Sequence, residues 1–366
     1  MINKKNHILH ISPNFNYSCG ISKYVFSLIK NLSRNPNYKI YFITNGGDAL
    51  SKFDTLDLKP NIIKFSRGFI NIKNIIPNYL FLKKFCIENE IDIIHTHHRY
   101  PELLAYFISK KINVKTITTV HSIVEGKNKF SFKSDKFIAV SNSVKIMLID
   151  KFNVPERKIN VMYNFLDPSE HKNINTTKNI RSELGIPDDG KIILYVGRIT
   201  KIKGVDILIE SFKKLKKKYD NIHLIIIGQI FDNSLKNIFN NLTNDIRFLN
   251  VIKNPYPYYS VSDIVVLPSR IESFGYVMLE AGLMKKPFIG SKTGGINEFI
   301  ENGNNGLLFT TGNIEELAEK ICYLIEQPEK GKLLAENLFN TVKEKTSFDE
   351  YFNKLNIIYK ELLLGK

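Results

Sequence analysis

The stretch DIVVLPSRIESFGYVMLE, residues 263–280, joins a strand to a helix through a short polar turn. Its apolar start is typical of a buried parallel strand, Pro268 ends that run, and the good helix formers that follow predict a helix beginning near Tyr276. Glu272 then lies in the turn and Glu280 on the helix. Turns of this kind in parallel sheets face the ligand crevice, and a helix N-terminus there favours bound anions. The stretch therefore predicts an α/β domain with a site for a phosphate and for hydroxyl groups.

Short β-type runs alternate with helical stretches along the chain. The first half contains HILHIS, YKIYFIT, IDIIHTH, VKTITTV and KFIAVS, and the second half contains KIILYVG, IHLIIIG, IRFLN, DIVVLPS and KPFIGS. This rhythm is typical of βαβ units, whose right-handed crossovers give a mostly parallel sheet. Because the pattern occurs twice, with the Asn- and Thr-rich stretch 172–179 between the two sets, we predict two Rossmann-like domains.

The composition is that of a large globular protein. The chain has 366 residues, of which 43% are hydrophobic, enough for two domains with their own cores. No apolar run approaches the roughly 20 residues of a membrane span, and none follows the first lysines as in a secretion signal. Cys19, Cys86 and Cys322 are far apart and form no C-x-x-C pair, so we expect reduced thiols and a cytoplasmic protein.

Positive charge is concentrated in the first part of the chain. The formal net charge is +16, and residues 1–170 carry 25 basic and 13 acidic residues, an excess of +12, against 27 and 23 in the remainder. A basic domain favours an anionic acceptor or an anionic membrane surface. Lysine is abundant everywhere, however, so a general compositional bias explains the excess equally well. Nucleic acid is a poorer interpretation because no zinc, helix-turn-helix or RNA-binding pattern accompanies the charge.

A second polar turn, GRITKIKG at residues 197–204, follows the apolar run KIILYV. Gly197 lets the chain turn after the strand, and Gly204 permits close approach before the next helix. Between them, Arg198 and Lys203 are placed to stabilise negative charge on a phosphate group. Taken alone, the turn is equally compatible with two solvated cations in a lysine-rich loop.

Together these segments resemble glycosyltransferase family 4, the retaining glycosyltransferases of the GT-B fold that use nucleotide-sugar donors. Glu272 and Glu280 match its E-x7-E motif, and residues 197–204 resemble its G-R-x4-K-G diphosphate motif. Residues 286–298 (KPFIGSKTGGINE) and 305–309 (NGLLF) continue the family pattern in the same order. The resemblance implies an α/β protein with two Rossmann-like domains whose parallel sheets face an interdomain cleft.

The resemblance also implies that the two domains bind different substrates. Residues 1–170 would form the acceptor-binding domain, and residues 171–347 the nucleotide-sugar-binding domain. The helical pattern of residues 348–364 (FDEYFNKLNIIYKELLL) would give a further helix, at about 348–366, that packs back on the first domain.

For the chemistry, the resemblance implies a catalytic group of four residues. Arg198 and Lys203 would stabilise the leaving diphosphate, and Glu272 would bind hydroxyls of the transferred sugar. His121, after the run TITTV, would contact the donor near the reacting sugar, with a structural hydrogen bond as the alternative for a loop histidine. The departing phosphate would itself help to deprotonate the acceptor, so no enzymic nucleophile is expected.

The remaining donor contacts are also implied by the resemblance. Glu280 would hold the ribose hydroxyls, and its apolar surroundings favour a partner inside the cleft over an unpaired charge. Gly20 would offer its backbone N–H to a phosphate at the start of a helix, although Cys19 replaces the first of the family's two glycines. Besides Arg198 and Lys203, the donor-binding set includes Gly197, Val251, Ser273, Phe274 and Gly275.

Three histidines lie close together in the sequence, His95, His97 and His98. His95 and His97 share one face of a strand and His98 points to the other, so their spacing does not by itself make a metal site. The family has D-x-x-H-x-H here, which favours structural support or an acceptor-cleft role for His97. We expect no metal and no other cofactor, because the nucleotide sugar is a co-substrate.

One segment has the pattern of a lipid-contacting helix. Residues 69–85 carry apolar positions near helical spacing beside Lys83 and Lys84, although a core helix is the stronger interpretation.

The prediction as a whole is a retaining, metal-independent hexosyltransferase. It would move a sugar from a UDP- or GDP-sugar to a glycan, lipid-linked or protein-glycan acceptor in bacterial surface polysaccharide assembly, such as lipopolysaccharide or capsule. It would act in the cytoplasm, with peripheral contact to the anionic inner face of the cell membrane. The alternatives are a catalytically silent partner of another glycosyltransferase, a sugar-nucleotide epimerase and a glycogen-phosphorylase-like enzyme. The order of the motifs argues against the two enzymes, and the retained charged residues argue against the silent partner.

Overall fold

The computed structural model describes residues 5–65, 74–126, 130–167 and 180–365. Contacts within the chain divide it into two units. The N-terminal unit comprises Met1–Asn164 and Asp349–Lys366, and the C-terminal unit comprises Phe165–Phe348. The boundary predicted at residue 170 and the Asn/Thr-rich stretch 172–179 lie outside the described residues.

The N-terminal unit is built on seven parallel strands. They are β1 (Asn6–Ile11), β2 (Tyr38–Thr44), β3 (Asn61–Ile62), β4 (Ile93–Thr96), β5 (Lys115–Val120), β6 (Lys136–Ala139) and β7 (Ile159–Val161), in the order β3-β2-β1-β4-β5-β6-β7. The helices of this unit are α1 (Gly20–Leu32), α2 (Ile75–Glu88), α3 (Arg99–Ser109), α4 (Asn142–Phe152) and, numbered by its place in the chain, α13 (Phe348–Leu364).

The C-terminal unit repeats this architecture with six parallel strands. They are β8 (Lys191–Val196), β9 (Ile222–Ile227), β10 (Ile246–Leu249), β11 (Ile264–Leu267), β12 (Phe288–Ser291) and β13 (Leu307–Phe309), in the order β10-β9-β8-β11-β12-β13. Its helices are α5 (Ile180–Glu183), α6 (Val205–Leu215), α7 (Lys236–Asn240), α8 (Tyr256–Val261), α9 (Tyr276–Leu283), α10 (Gly294–Phe299), α11 (Ile314–Glu326) and α12 (Pro328–Lys345). The predicted pair of Rossmann-like parallel sheets is confirmed.

Both cores form because apolar strand residues pack against the helices that cover the parallel sheets. In the N-terminal unit, Leu9 and Ile94 pack in one cluster with Leu82 of α2 and Leu104 of α3. In the C-terminal unit, residues of β8, β9 and β11 form a cluster with α6 and α11. Among the described residues, no helix combines the length and the apolar character needed to cross a membrane.

The strand order identifies where a ligand would bind in each sheet. In the N-terminal sheet the order reverses between β1 and β4, and in the C-terminal sheet it reverses between β8 and β11. Ligands of open α/β sheets bind beyond the carboxyl ends of the strands at such reversal points. The turns after β1, β4, β8 and β11 are therefore the places to look for a site.

Helix α13 belongs to the N-terminal unit, although the whole C-terminal unit precedes it in the chain. Leu355 and Tyr359 are fully buried. The Tyr359 hydroxyl lies 2.7 Å from Nδ1 of His95, the Tyr38 hydroxyl donates to Asn356 Oδ1 at 3.0 Å, and the Tyr351 hydroxyl is hydrogen-bonded to that of Tyr24. These contacts make α13 part of the N-terminal core.

Candidate active site

The loop after β8 meets the turn after β11 through a buried ion pair. Lys203 Nζ lies 2.5 Å from Glu272 Oε2, and the two side chains are 18% and 9% exposed. Ser269 Oγ donates to the same Glu272 oxygen at 3.0 Å. Because charges so little exposed are costly without a partner, each group holds the other in place. The structure therefore brings together two of the four predicted catalytic residues.

Arg198 lies on the same loop with its side chain exposed. It makes no salt bridge within the part of the chain that the structure describes. Its carbonyl accepts a hydrogen bond from the buried Tyr195 hydroxyl at 2.8 Å. Burial and the charge of Glu272 raise the pKa of Tyr195, whereas Arg198 lowers it, so Arg198 and Glu272 both lie near that hydroxyl. The guanidinium remains available to an anion.

Glu280 is held apart from this pair. It lies on α9, is 6% exposed, and accepts a hydrogen bond from the Tyr259 hydroxyl at 2.6 Å. Burial, together with the charge of Glu280, raises the pKa of Tyr259 well above its usual value, so the hydroxyl stays protonated and donates. Tyr259 is thus a partner of Glu280 within the C-terminal unit, and the predicted partner inside the cleft stays a prediction. Tyr259 was not singled out by the sequence, because a tyrosine 21 residues upstream carries no spacing signal.

The backbone of the turn 272–275 is shaped by close packing. Gly275 adopts a φ of +97° directly before α9. A side chain at Gly295 would come within 2.6 Å of Phe274 Cα and Ser273 O, so only glycine allows the start of α10 to approach this turn. The Gly295 amide donates to the Glu272 carbonyl at 3.3 Å. Ser273, Phe274 and Gly275 are therefore fixed beside Glu272.

One of the predicted donor-binding glycines, Gly197, already uses its backbone N–H within the sheet. The Gly197 amide donates to the Ile227 carbonyl at 2.9 Å, so this N–H is already used by the sheet. A side chain at Gly228 would come within 1.8 Å of the Gly197 carbonyl oxygen, so glycine is required at 228 for these two backbones to approach. Val251 lies in the loop after β10 and is partly exposed.

Gly204 follows the short 3-10 helix Lys201–Lys203 and adopts a left-handed conformation, with a φ of +69°. A Cβ there would lie 1.9 Å from the Pro268 carbonyl oxygen. Gly303 also has a positive φ, of +81°, but nothing lies within 4 Å of its would-be Cβ. Gly303→Ala should cost only the left-handed term, about 1–2 kcal/mol of unfolding free energy. We expect Gly204→Ala to lower the free energy of unfolding clearly more than Gly303→Ala does, because its Cβ would also clash with Pro268. Urea unfolding followed by circular dichroism would measure both variants. Equal losses of unfolding free energy would contradict the need for a close approach at Gly204.

Arg270 ties the two loops together. Its guanidinium donates to both carboxylate oxygens of Asp206 at 2.8 Å and to the Lys201 carbonyl at 2.6 Å, and its own amide donates to the Ile202 carbonyl at 2.7 Å. The planar fork of arginine suits this bidentate contact, which a lysine cannot reproduce. Arg270 was missed by the sequence analysis, because its partners lie more than 60 residues away.

Arg270→Lys is therefore expected to loosen the loop that carries Arg198 and Lys203. We expect the KM for the donor to rise about tenfold, which corresponds to roughly 1.4 kcal/mol, with a smaller change in kcat. Steady-state kinetics at varied donor concentration would measure this. Lys213→Met, which breaks an exposed pair with Glu210 on α6, is the control and should leave KM unchanged. An unchanged KM in Arg270→Lys would show that the hydrogen bonds of Arg270 to Asp206 and Lys201 are not needed for donor binding.

In the N-terminal unit, Gly20 is the first residue of α1 and is exposed. Cys19 precedes the helix with extended backbone and no side-chain cap, and the first turn carries no acidic residue. Such an end leaves backbone N–H groups and the positive end of the helix dipole for an anion. The substitution of the first loop glycine by Cys19 is compatible with the helix start.

Four histidines lie together near the reversal point of the N-terminal sheet. His10 Nδ1 is 3.2 Å from His97 Nε2, and His97 Nδ1 is 3.3 Å from His121 Nε2. His95 packs against His97 at 4.5 Å between ring centroids. The predicted shared face of His95 and His97 is present, and His98 lies beyond it as the exposed residue before α3. His10 was not foreseen, because its neighbours are 85 and more residues away.

The same group was tested as a metal site. Ring nitrogens of His10, His95 and His97 lie within 4.8 Å of one another. However, both nitrogens of His95 are 2.7 Å from hydroxyl oxygens, of Tyr359 and Thr119, so a metal would have to displace one of these hydrogen bonds. The contacts fit a hydrogen-bonded cluster better than a ligand set, and the absence of a metal cofactor stays a prediction.

Solved structures with the same architecture define the class of fold. A glycosyltransferase from Rickettsia africae ESF-5 superimposes with a TM-score of 0.85 at 27% identity, covering 98% of this chain and 99% of that one. Two relatives have established names. N-acetyl-alpha-D-glucosaminyl L-malate synthase of Bacillus anthracis is 27% identical over 289 residues, 75% of each chain. The O-antigen biosynthesis glycosyltransferase WclY of Escherichia coli is 26% identical over 369 residues, 94% of this chain and 97% of the relative. The fold is that of the GT-B glycosyltransferases.

Two family models match consecutive parts of the chain. Residues 19–170 match the model described as Glycosyltransferase Family 4, and residues 176–340 match the model described as Glycosyl transferases group 1. The chain therefore belongs to glycosyltransferase family 4, as its motifs predicted.

Proposed function

We propose that this glycosyltransferase transfers a sugar, with retention of configuration and without a metal ion, from a UDP- or GDP-sugar to a glycan, glycolipid or protein-glycan acceptor. The buried Lys203–Glu272 pair is the observation that carries the proposal. The pair joins a cation, which suits a phosphate, to a carboxylate, which suits hydroxyl groups, with 2.5 Å between Lys203 Nζ and Glu272 Oε2. A sugar diphosphate presents those two kinds of group on adjacent atoms.

The pair also suggests how the donor binds. Lys203 is satisfied by Glu272 in the structure, and a diphosphate offers it stronger charge-assisted hydrogen bonds. Lys203 and Ser269 share Glu272 Oε2, so when Lys203 turns to the phosphate this oxygen keeps the Ser269 hydroxyl and can accept from a sugar hydroxyl in place of the ammonium. The exposed Arg198 adds a second positive charge. Together the two cations stabilise the charge that develops as the sugar–phosphate bond breaks.

The direct test of the donor is a thermal-shift panel with UDP, GDP, ADP and CDP and their common sugar conjugates, on the wild type and on Arg198→Ala at fixed salt. At about 100-fold excess over Kd, binding adds about 2.7 kcal/mol of apparent stability. We expect a shift with UDP or GDP that is lost in Arg198→Ala. No shift with any nucleotide would favour the silent-partner alternative. Activity in the presence of EDTA would support transfer without a metal ion. An anomeric configuration that is unchanged in the NMR spectrum of the product would support retention.

For the acceptor, we propose a component of a bacterial surface polysaccharide. The relative WclY is named for O-antigen biosynthesis, and the basic residues of the first 170 favour an anionic acceptor or membrane. The assay is transfer of labelled sugar to lipid extracts and to soluble glycans. If the donor binds but labelled sugar is incorporated into neither the lipid extracts nor the soluble glycans, the proposed acceptor class is wrong.

We further propose that helix α2 touches the anionic inner face of the cell membrane. Ile76, Leu80, Phe81 and Ile87 are 65%, 57%, 41% and 55% exposed on this helix. Lys84, also exposed, is paired only weakly with Glu88 at 3.6 Å. Apolar side chains beside lysines are typical of helices that lie on anionic bilayers. The first part of the predicted 69–85 segment, residues 69–73, lies outside the described residues.

Vesicle co-sedimentation separates this membrane contact from a compositional excess of lysine. We expect binding to phosphatidylglycerol vesicles and weaker binding to phosphatidylcholine vesicles, and less of both in the Leu80→Ser/Phe81→Ser variant. Phe107→Ser, at a 47%-exposed apolar position on α3, is the control. Binding that depends on lipid charge but not on Leu80 and Phe81 would leave the lysines as the cause and rule out α2 as the contact.

A further inference from the structure

The four clustered histidines occupy equivalent ends of three neighbouring strands. His10 lies on β1 and pairs in register with His95 on β4, while His97 follows β4 and His121 follows β5. His10, His95 and His97 are buried, whereas His121 is partly exposed and lines a cavity of about 110 Å³. The cluster therefore runs from the core of the N-terminal unit to an open surface at the reversal point of the sheet.

Burial disfavours the charged form of each member of the chain His10–His97–His121. Burial lowers the pKa of His10 to about 3 and that of His121 to about 3, and it lowers the pKa of His97 well below the usual value. A neutral imidazole has one N–H donor and one bare nitrogen acceptor. His97 uses both nitrogens, one toward His10 and one toward His121. The direction of one hydrogen bond consequently fixes the direction of the other.

Only two arrangements of protons are compatible with this chain. In the first, His97 donates through Nε2 to His10, whose own proton must then lie on Nε2. That nitrogen is buried and has no hydrogen-bond partner among the described residues. In the second, His10 donates through Nδ1 to His97, and His97 donates through Nδ1 to His121 Nε2. The buried His10 Nε2 is then a bare acceptor and not an N–H.

The second arrangement is the more stable of the two. A buried N–H without an acceptor forfeits a full hydrogen bond with water, and orphaned buried N–H groups are rarer in proteins than under-used acceptors. With His121 Nε2 accepting from His97, the His121 proton must lie on Nδ1. No hydrogen bond to Nδ1 of His121 is present within the described ranges, and the residue is partly exposed.

We propose that His97 and His10 are positioning residues that hold the His121 ring in the tautomer with its proton on Nδ1. His121 then offers a ligand a hydrogen-bond donor and has no basic nitrogen to offer, because Nε2 is occupied by His97. It can bind a sugar hydroxyl oxygen or a phosphate oxygen, but it cannot take a proton from the acceptor hydroxyl. The role toward a sugar rests on the proposed function, whereas the tautomer does not.

Nitrogen-15 NMR of the folded protein labelled at histidine tests the tautomer without any substrate. Long-range proton–nitrogen correlations at pH 8 distinguish the two neutral forms. His7 provides an internal reference, because its Nδ1 lies 2.6 Å from the Asn89 carbonyl oxygen, which can only accept. We expect His121, assigned by its loss in His121→Gln, to give the same pattern as His7. A His121 proton on Nε2 would overturn the proposal.

Substitution of His97 tests the cause. In His97→Leu the partner of Nε2 is gone, and we expect the Nε2–H form of His121 to appear. In His97→Asn the side-chain amide can replace the Nδ1–H donor, and we expect the wild-type tautomer to be kept. An unchanged tautomer in folded His97→Leu would overturn the role of His97. So would a stoichiometric metal whose removal shifts the His10 and His97 signals, since a ligating nitrogen carries no proton.

The kinetic counterpart separates positioning from stability. His97→Leu should lower kcat about 10- to 100-fold, the usual cost of removing a partner that orients a functional histidine, with the Kd for the free nucleoside diphosphate unchanged. His97→Asn should recover most of the loss, and His7→Gln, on β1 with His10, should show none. A loss of nucleotide binding in His97→Leu, or no recovery in His97→Asn, would contradict positioning. Absence of turnover in the wild type would count against the proposed function alone, because the NMR result is independent of it.

Discussion

Lys203→Met should lose about two to three orders of magnitude in kcat, because it removes one of the two cations proposed to stabilise the leaving diphosphate. Free nucleoside diphosphate should also bind more weakly, since the proposed contact of Lys203 is with the phosphate and not with the sugar. The variant further leaves Glu272 buried without its partner. Steady-state kinetics with the donor found by the thermal-shift panel, together with calorimetric titration of the free nucleotide, would measure both effects.

The matched control is Lys201→Met, at an exposed lysine on the same loop. It removes the same charge from the chain and should change kcat little. If the two variants lost activity equally, the loop would act through its general positive charge, and Lys203 would have no special role.

Glu272→Gln is expected to act on the sugar and not on the nucleotide. The amide keeps the shape of the side chain but loses the charged acceptor, so we expect kcat to fall about 10- to 100-fold, in line with one hydrogen bond to a charged group. Free nucleoside diphosphate should bind at least as tightly as to the wild type, because Lys203 is released from its ion pair.

The comparison of nucleotide binding between Lys203→Met and Glu272→Gln tests the roles of the two residues better than the loss of kcat in either variant. Lys203→Met should weaken the binding of free nucleotide and Glu272→Gln should not. Glu301→Gln, at an exposed acid that pairs with Lys345, is the control for the loss of one negative charge. Weaker nucleotide binding in Glu272→Gln would mean that the carboxylate serves the nucleotide, and the assignment of roles within the pair would be wrong.

The secondary structure could be predicted in large part because it depends on local patterns. Apolar runs of four to seven residues became strands, and the segment 348–364 became α13 with the bounds that its periodicity predicted. The strand-to-helix turn at Glu272 and the helix start at Tyr276 also appear as predicted. These features depend on neighbours in the sequence, which is where sequence patterns carry information.

The contacts inside the site could not be predicted, because they join distant segments. Lys203 and Glu272 are 69 residues apart, and their contact requires Gly204 to let the two loops approach. His10 reaches His97 only through the parallel pairing of β1 with β4, whose register is not visible in either strand alone. Arg270 likewise has no distinguishing neighbour in the sequence. The roles given to the site residues stay predictions until the variants are measured.

The position of α13 has a consequence for how the protein is made. The ribosome synthesises residues 165–348 before α13, and at about 5–20 residues per second this takes roughly 10 to 40 s. The C-terminal unit can therefore complete its fold first, although it begins second. Until α13 emerges, the N-terminal unit lacks the helix that carries Tyr351 and Tyr359, and Tyr24 and His95 lack the hydrogen bonds to those two hydroxyls. The N-terminal unit is therefore synthesised first but can complete its core only when α13 has been made. We expect nascent chains to need protection of this incomplete core.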